Sequence, residues 1–423
     1  MKKLLLSLVL FSFVGGVFST ANAQETEKQI VTENRKNDPK QFDKPYVILI
    51  SIDGFRYDYI EKFNSKFLKK LGEEGVRAES MQPSYPSVTF PNHYTIATGL
   101  YPAHHGLVGN NIFDPKIEER YSLRNYKAVH NPAWYGGTPL WVLAEQQGMM
   151  SACYYWPGSE APIKDTYPSY YYGYSEKFEM DTRIAEVVKW LSLPEEKRPH
   201  FITFYLPEVD HAGHTYGPDA KETEEAVQYA DRSIEKLVAE VSKTGLPVNF
   251  VVVSDHGMLA LDQETLLQFP MKVEKDELTL VSNGTYMSVF VNNKKDINKW
   301  YKKIQKAADS KLMKVFKKAD LPKEFNFGGD NDRFGRVGDI VITAEPPYYF
   351  TNRKLAGSHG FDPNTVKEMH AIFIASGPQI KKGEKIATFE NVDVYPLIAK
   401  ILGLEITEEI DGTTKVADQV LVK

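Results

Sequence analysis

Residues 46–53 read YVILISID, an almost unbroken apolar run that ends in an acid. Strict alternation would mark a strand with one wet face, whereas a continuous run of this length marks a strand buried on both faces, as in parallel sheets. It would carry Asp53 to the strand's carboxyl end. Two runs of the same form follow: FITFYLPEVD at 201–210 leads to Asp210, and VNFVVVSDHG at 248–257 leads to Asp255 and His256. HAIFIASGP at 370–378 reads as a fourth. Helical patterns lie between them, clearest from Glu222 to Lys243, where Ala226, Ala230, Ile234, Leu237 and Val241 recur at helical spacing. Strands alternating with helices predict an α/β fold, a mainly parallel central sheet with helices on both faces. Ligands of such sheets bind beyond the carboxyl ends of the strands, so the three acid-bearing ends should converge on one surface.

Around this frame the chain divides into unequal parts. Residues 1–23 have the form of a signal peptide: Lys2 and Lys3, an apolar stretch from Leu4 to Val17, and Ala21-Asn22-Ala23 for cleavage. Residues 24–44 are polar without apolar periodicity and are expected to be an exposed leader to a catalytic domain over 45–423. Within that domain about 271–349 changes texture, with a strand near YMSVFVN, a lysine-rich helix through Trp300, Tyr301 and Ile304, then RVGDIVITAE. It reads as a small α+β insertion whose lysines form a solvated helix face.

Composition narrows the function classes. The 423 residues are 42% hydrophobic and 25% charged, ordinary for a globular protein with a sizeable core. The formal charge of −5 becomes more negative once Lys2 and Lys3 are removed, which disfavours a stable nucleic-acid complex but not a nucleotide in a pocket. No segment after the signal is apolar enough for a transmembrane helix. Cys153 is the single cysteine, so an intrachain disulfide is impossible, and its apolar surroundings point to packing. Export without disulfides predicts a periplasmic or secreted, bacterial protein. Oligomeric state is not legible.

Residues of metal-ligand or nucleophile type gather in short motifs: Asp53 in SIDGF, Thr89 in VTFPNH, Asp210 and His214 in DHAGH, Asp255 and His256 in SDHG, and His359 in GSHGFDP. Carboxylate and imidazole suit zinc, and three protein ligands per ion leave the open position that catalysis needs. Singly, a strand-end Asp is usually a cap and a lone His is usually structural. Several of these residues, however, fall on expected strand ends of one sheet.

The ordered set SIDGFR, PSVTFPNHYTIATGLYPAHHGLVGN, WPGSE, PEVDHAGHTYGP, VVVSDHGM and GSHGFDP resembles the nucleotide pyrophosphatase/phosphodiesterase family of the alkaline phosphatase superfamily, across roughly Pro45 to Gly403. The resemblance implies two zinc ions per chain, one held by Asp210, His214 and His359, the other by Asp53, Asp255 and His256, with Thr89 as a nucleophile beside the second. A threonine hydroxyl attacks poorly at neutral pH unless a metal stabilises its alkoxide. Pro91 fits the first turn of a helix through His93 to Ala97, whose free N–H groups would face a phosphate. The family's amide after the nucleophile and its downstream asparagine match Phe90 and Asn110, which would hold a nonbridging oxygen; Asn111 is the adjacent competitor. His93, His104, His105 and His211 match no ligand position and are read as structural or surface residues.

Substrate class follows from what surrounds Thr89. Sulfatases of the superfamily need a cysteine or serine there. Phosphate monoesterases of the threonine type add a lysine–arginine clamp, and WPGSEAPIKDTYP offers Lys164 without the arginine. A neutral Asn110 suits a diester, which carries less negative charge. Phe90 and Tyr205 match the family's base-sandwiching positions, and Tyr174 in SYYYGYS could complete the pocket, stacking being tolerant of which base is bound. The expected activity is hydrolysis of nucleotide phosphodiester or pyrophosphate bonds to nucleoside 5′-monophosphates through a nucleotidyl-threonine. Cleavage of a choline-type phospholipid headgroup, phosphate monoester hydrolysis, and noncatalytic nucleotide or metal binding are the alternatives.

Overall fold

A computed structural model of the chain describes residues 28–274 and 276–422; the expected signal peptide and the first residues of the expected leader lie outside the described residues. Tyr46–Ile52 is a strand buried at every position. It is flanked in parallel by Phe201–Leu206 and Val248–Val253. These three strands form the middle of a nine-stranded sheet ordered Ile30–Val31, Tyr170–Tyr172, Ser151–Tyr154, Phe201–Leu206, Tyr46–Ile52, Val248–Val253, Phe373–Ser376, Val76–Ala78, Glu384–Ile386. The block from Tyr170–Tyr172 through Val248–Val253 is parallel throughout, as expected.

Alternation along the central strands divides their side chains between two cores. Ile48, Ile50, Ile52 and Val252 pack with Val227, Ala230, Ile234 and Leu237 of helix Lys221–Ser242 on one face. Val47, Leu49, Val251 and Val253 face the other way, into the core that contains Ile96, Trp141 and Leu397. Each fully buried aliphatic side chain of this kind contributes about 1.5–3 kcal/mol, so both faces of the sheet must stay covered.

Two expectations are corrected. HAIFIASGP forms the strand Phe373–Ser376, but it runs antiparallel to both neighbours. A continuous apolar run reports burial on two faces and carries no direction. The chain enters this strand from the carboxyl-end surface, where Gly257 N–H donates to Met369 O, and so it runs back across the sheet. The expected leader is, from residue 28, part of the domain. Ile30–Val31 adds an antiparallel edge strand, and Asn37, 1% exposed, donates to Glu195 O and Arg198 O while accepting from Met150 N–H. A polar segment is tied down here by side-chain amide bonds, which hydrophobic patterning does not register.

Within the stretch expected as an insertion, Leu278–Ser282, Tyr286–Val291, Ile340–Ala344 and Met313–Lys317 form a separate four-stranded antiparallel sheet. Helix Ile297–Ala307 packs Trp300 and Ile304 against it and leaves Lys299, Lys302, Lys303 and Lys306 exposed. Buried Arg336 fastens this unit to the main body, bonding to Asp114 Oδ2 at 2.8 Å and to the carbonyls of Gly106, Trp134 and Ala133. Among the described residues no helix is long and apolar enough to cross a membrane.

Candidate active site

The carboxyl ends of the parallel strands converge as the topology requires. Asp53 follows Tyr46–Ile52 directly, and Asp255 and His256 lie just beyond Val248–Val253. Asp210 arrives differently from expectation. The strand stops at Leu206, and Asp210 and His214 occupy one face of helix Glu208–Tyr216, four residues apart. Gly54 makes the approach possible: at φ +68° a Cβ on it would stand 2.9 Å from Asp210 Cα. His359 comes from Gly357–Ser358, which pairs with Leu259–Ala260.

Two groups of ligand atoms result, Asp210/His214/His359 and Asp53/Asp255/His256, each within 4.8 Å of one another. In the first, His214 Nε2 lies 3.1 Å from His359 Nε2 and 3.4 Å from Asp210 Oδ1, and His359 Nε2 is 3.5 Å from that oxygen. In the second, His256 Nε2 lies 2.9 Å from Asp255 Oδ2 and 3.5 Å from Asp53 Oδ1. Tetrahedral ligands at zinc bond lengths are separated by about 3.3 Å, so both sets have suitable spacing. The stacked rings of His256 and His359, centroids 3.5 Å apart, place the groups side by side.

The chemistry of the donors points the same way. His214, His256 and His359 each bring Nδ1 to a backbone carbonyl, of Gly357, Gly257 and Ser87 respectively, which at His214 and His359 turns a bare Nε2 inward and at His256 sets Nε2 against Asp255. Asp53 Oδ1 and Asp210 Oδ1 are buried with no hydrogen-bond partner among the described residues. Burial and the nearby Asp255 and Asp210 carboxylates raise Asp53 well above the ordinary carboxylate range. Burial would raise Asp255 too, but His256 and His93 outweigh it and hold that carboxyl well below its usual value. Burial, with His256 and His214 close by, holds His359 well below the usual imidazole range and therefore neutral. Unpartnered acceptors and bare nitrogens facing one another fit bound cations.

Thr89 begins helix Thr89–Thr98, and its Oγ1 lies 3.3 Å from His256 Nε2, against the second group. Phe90 N–H donates to Asn110 Oδ1 at 3.0 Å, so these two expected oxygen-holding groups meet, with Asn110 rather than Asn111 in that position. Asn111 instead bonds through its backbone to Asn283. Tyr205 donates to Asp53 Oδ2 at 2.5 Å, and its ring meets His93 and Tyr174 edge-on, so its hydroxyl is engaged at the ligand group. Tyr174 retains an exposed ring, 42% accessible, and Phe90 packs edge-on against Tyr121. A cleft of about 470 Å³ opens beside the first group, lined by Asn110, His214, His359, Arg124, Asn283 and Tyr349 among others.

His93, read from sequence as structural, touches the site. It is fully buried, with Nδ1 2.9 Å from Thr89 O and 3.3 Å from Asp255 Oδ2, and Nε2 2.8 Å from Ser51 Oγ. Its place one helical turn after Thr89 was the available signal. His104 pairs with Asp411, His105 is buried near Thr95 and Pro91 O, and His211 stands 3.8 Å from Glu176. Lys164 bonds to Glu408.

Known proteins resemble this chain over most of its length. The family model described as type I phosphodiesterase / nucleotide pyrophosphatase matches residues 47–364. Venom phosphodiesterase 2 of Crotalus adamanteus is 36% identical over 379 residues, covering 87% of this chain and 46% of that protein. Ectonucleotide pyrophosphatase/phosphodiesterase family member 3 of Bos taurus is 34% identical over 385 residues, covering 87% of this chain and 43% of that protein. The chain thus spans less than half the length of these curated relatives. The solved structure of murine ectonucleotide pyrophosphatase / phosphodiesterase 5 superposes with a TM-score of 0.81 at 27% identity, covering 89% of this chain and 100% of that chain. An inactive variant of that protein in complex with AMP superposes equally well.

Proposed function

The chain belongs to the type I phosphodiesterase / nucleotide pyrophosphatase family, and from that membership we propose that it hydrolyses nucleotide phosphodiester or pyrophosphate bonds, releasing nucleoside 5′-monophosphates through a covalent nucleotidyl-Thr89. The observation that supports this most directly is Thr89 Oγ1 poised at a helix start, 3.3 Å from His256 Nε2, beside two ligand groups of zinc-like spacing. Asp210, His214 and His359 would hold one zinc ion, and Asp53, Asp255 and His256 the other. When bound, the pair supplies Lewis acidity that lowers the pKa of a neighbouring hydroxyl and offsets negative charge on phosphoryl oxygens.

The chain's own groups do the rest. Thr89 Oγ1 attacks phosphorus, the bond to the leaving oxygen breaks, and water later cleaves the threonyl ester. The Phe90 N–H and the Asn110 amide, now bonded to each other, are the neutral donors that a nonbridging oxygen would engage, the amide presenting its NH2 after a half-turn. The exposed ring of Tyr174 and the side chain of Phe90 offer stacking surfaces for a base. Engagement of Lys164 with Glu408 favours a diester over a dianionic monoester. The reading extends to a periplasmic or secreted location and a catalytic domain that includes the second sheet.

Incubation of zinc-loaded protein with a nucleoside triphosphate, followed by separation of products, tests the reaction. Nucleoside 5′-monophosphate and pyrophosphate should appear together. Stepwise release of inorganic phosphate through the diphosphate would refute it.

A further inference from the structure

We propose that Asn283 and Tyr286, at the hairpin of the second sheet, are positioning residues for Asn110; the inference rests on the reading of Asn110 as a donor to the phosphoryl group. Strands Leu278–Ser282 and Tyr286–Val291 pair antiparallel, and the turn between them projects to the cleft. Asn283, 8% exposed, accepts from Asn111 N–H at 2.8 Å and donates to Asn111 O at 2.9 Å, a reciprocal pair that imitates a strand ladder. Its remaining amide hydrogen goes to Tyr286 Oη at 3.0 Å, and the Tyr286 hydroxyl donates to Val108 O. The backbone is therefore gripped on both sides of Gly109-Asn110 by one hairpin.

Gly109 records how close that grip is. A Cβ there would stand 2.5 Å from Tyr286 Oη and 2.6 Å from both amide atoms of Asn283, so no side chain fits between backbone and clamp. Among the described residues the Asn110 side chain has one hydrogen bond of its own, accepted from Phe90 N–H. Its placement relative to Thr89 consequently depends on where the backbone is held. Docking of the second sheet does not depend on Asn283 alone, because Arg336 fastens that unit separately through Asp114 and three carbonyls. The hairpin thus supplies alignment of a donor, and a misplacement of the order of 1 Å at such a group costs roughly 100-fold in rate.

The test compares Asn110→Ala, Asn283→Ala and the double variant as zinc-loaded proteins, with the nitrophenyl ester of thymidine 5′-monophosphate as substrate and bound zinc measured in each. Asn283→Ala should lower kcat by about 10- to 100-fold with KM and zinc content close to wild type. The double variant should be no slower than Asn110→Ala, since a residue acting through another loses its effect once that partner is gone. Tyr286→Phe, which keeps the buried ring and removes only the hydroxyl, should show the same dependence and serves if Asn283→Ala does not fold. Equal slowing by the hairpin variants with and without Asn110 would overturn the inference, as would wild-type kcat in both hairpin variants. Wild-type kcat in Asn110→Ala would instead overturn the reading of Asn110 itself, and the inference would fall with it.

Discussion

The Nε2 atoms of His214 and His359 stand 3.1 Å apart, while Nδ1 of each ring lies against a backbone carbonyl. Two bare nitrogens so close repel unless a cation lies between them, and Asp210 Oδ1 faces them without a hydrogen-bond partner among the described residues. Dialysis against a strong chelator should therefore abolish turnover and lower the melting temperature. Zinc present at about 100 times its dissociation constant should restore about 2.7 kcal/mol of stability per occupied site, together with activity. Full turnover in protein shown by elemental analysis to be metal-free would refute the assignment.

His93 offers a second test, directed at support rather than ligation. It joins Thr89 O, Asp255 and Ser51, so it steadies both the helix that starts at Thr89 and one carboxylate. His93→Ala should weaken zinc binding at the Asp255 group by about 10- to 100-fold, measured by competition with a chromophoric chelator. Asn in its place can present an N–H near the position of Nδ1 and should recover part of the loss. Unchanged zinc affinity in His93→Ala would leave His93 a packing residue only.

Base recognition predicts a different kinetic signature. Tyr174→Ala removes an exposed aromatic face beside Tyr205 and should raise KM for a nucleotide diester by about 5- to 150-fold, the range of one lost stacking contact of about 1–3 kcal/mol. Hydrolysis of a small diester without a base should be unaffected. Equal losses on both substrates would show that Tyr174 supports the fold rather than the base.

Arg336 carries the stability prediction. Its guanidinium is buried with Asp114 and three carbonyls, so Arg336→Met leaves these acceptors unsatisfied and should destabilise the protein by about 3–5 kcal/mol, read from denaturant unfolding. Burial alone would raise the Asp114 carboxyl, but the Arg336 bond and the Lys116 N–H outweigh it and hold it below 3.8. A folded value below the unfolded one means the contribution is complete above about pH 4 and is lost as pH falls through the lowered folded value. The variant should lose that part of the acid dependence. Unfolding curves that superpose on wild type would refute the anchor.

Particular residues explain what could be read in advance. Asp53, Asp255 and His256 were legible because an apolar run followed by an acid is a strand followed by its end. Asp210 was legible as a member of the clustered acids and histidines but not in its setting, since PEVD gives little sign that a helix has begun at Glu208. The direction of Phe373–Ser376 was hidden because burial on two faces gives the same pattern in parallel and antiparallel strands. The packing of residue 37 depends on amide bonds to Glu195 and Arg198, more than 150 positions away, and no local pattern encodes them. The roles of His93 and Asn283 are likewise properties of contact, made by residues whose types are common in caps and turns.

The central claim is that Thr89 attacks a nucleotide diester, and the most direct measurement is turnover by the zinc-loaded protein of the nitrophenyl ester of thymidine 5′-monophosphate beside nitrophenyl phosphate, with Thr89→Ala as the control. Strong preference for the diester is expected in the wild type, with loss of that turnover by at least about 1000-fold in Thr89→Ala and zinc still bound. Wild-type turnover in Thr89→Ala, or preference for the monoester, would contradict it.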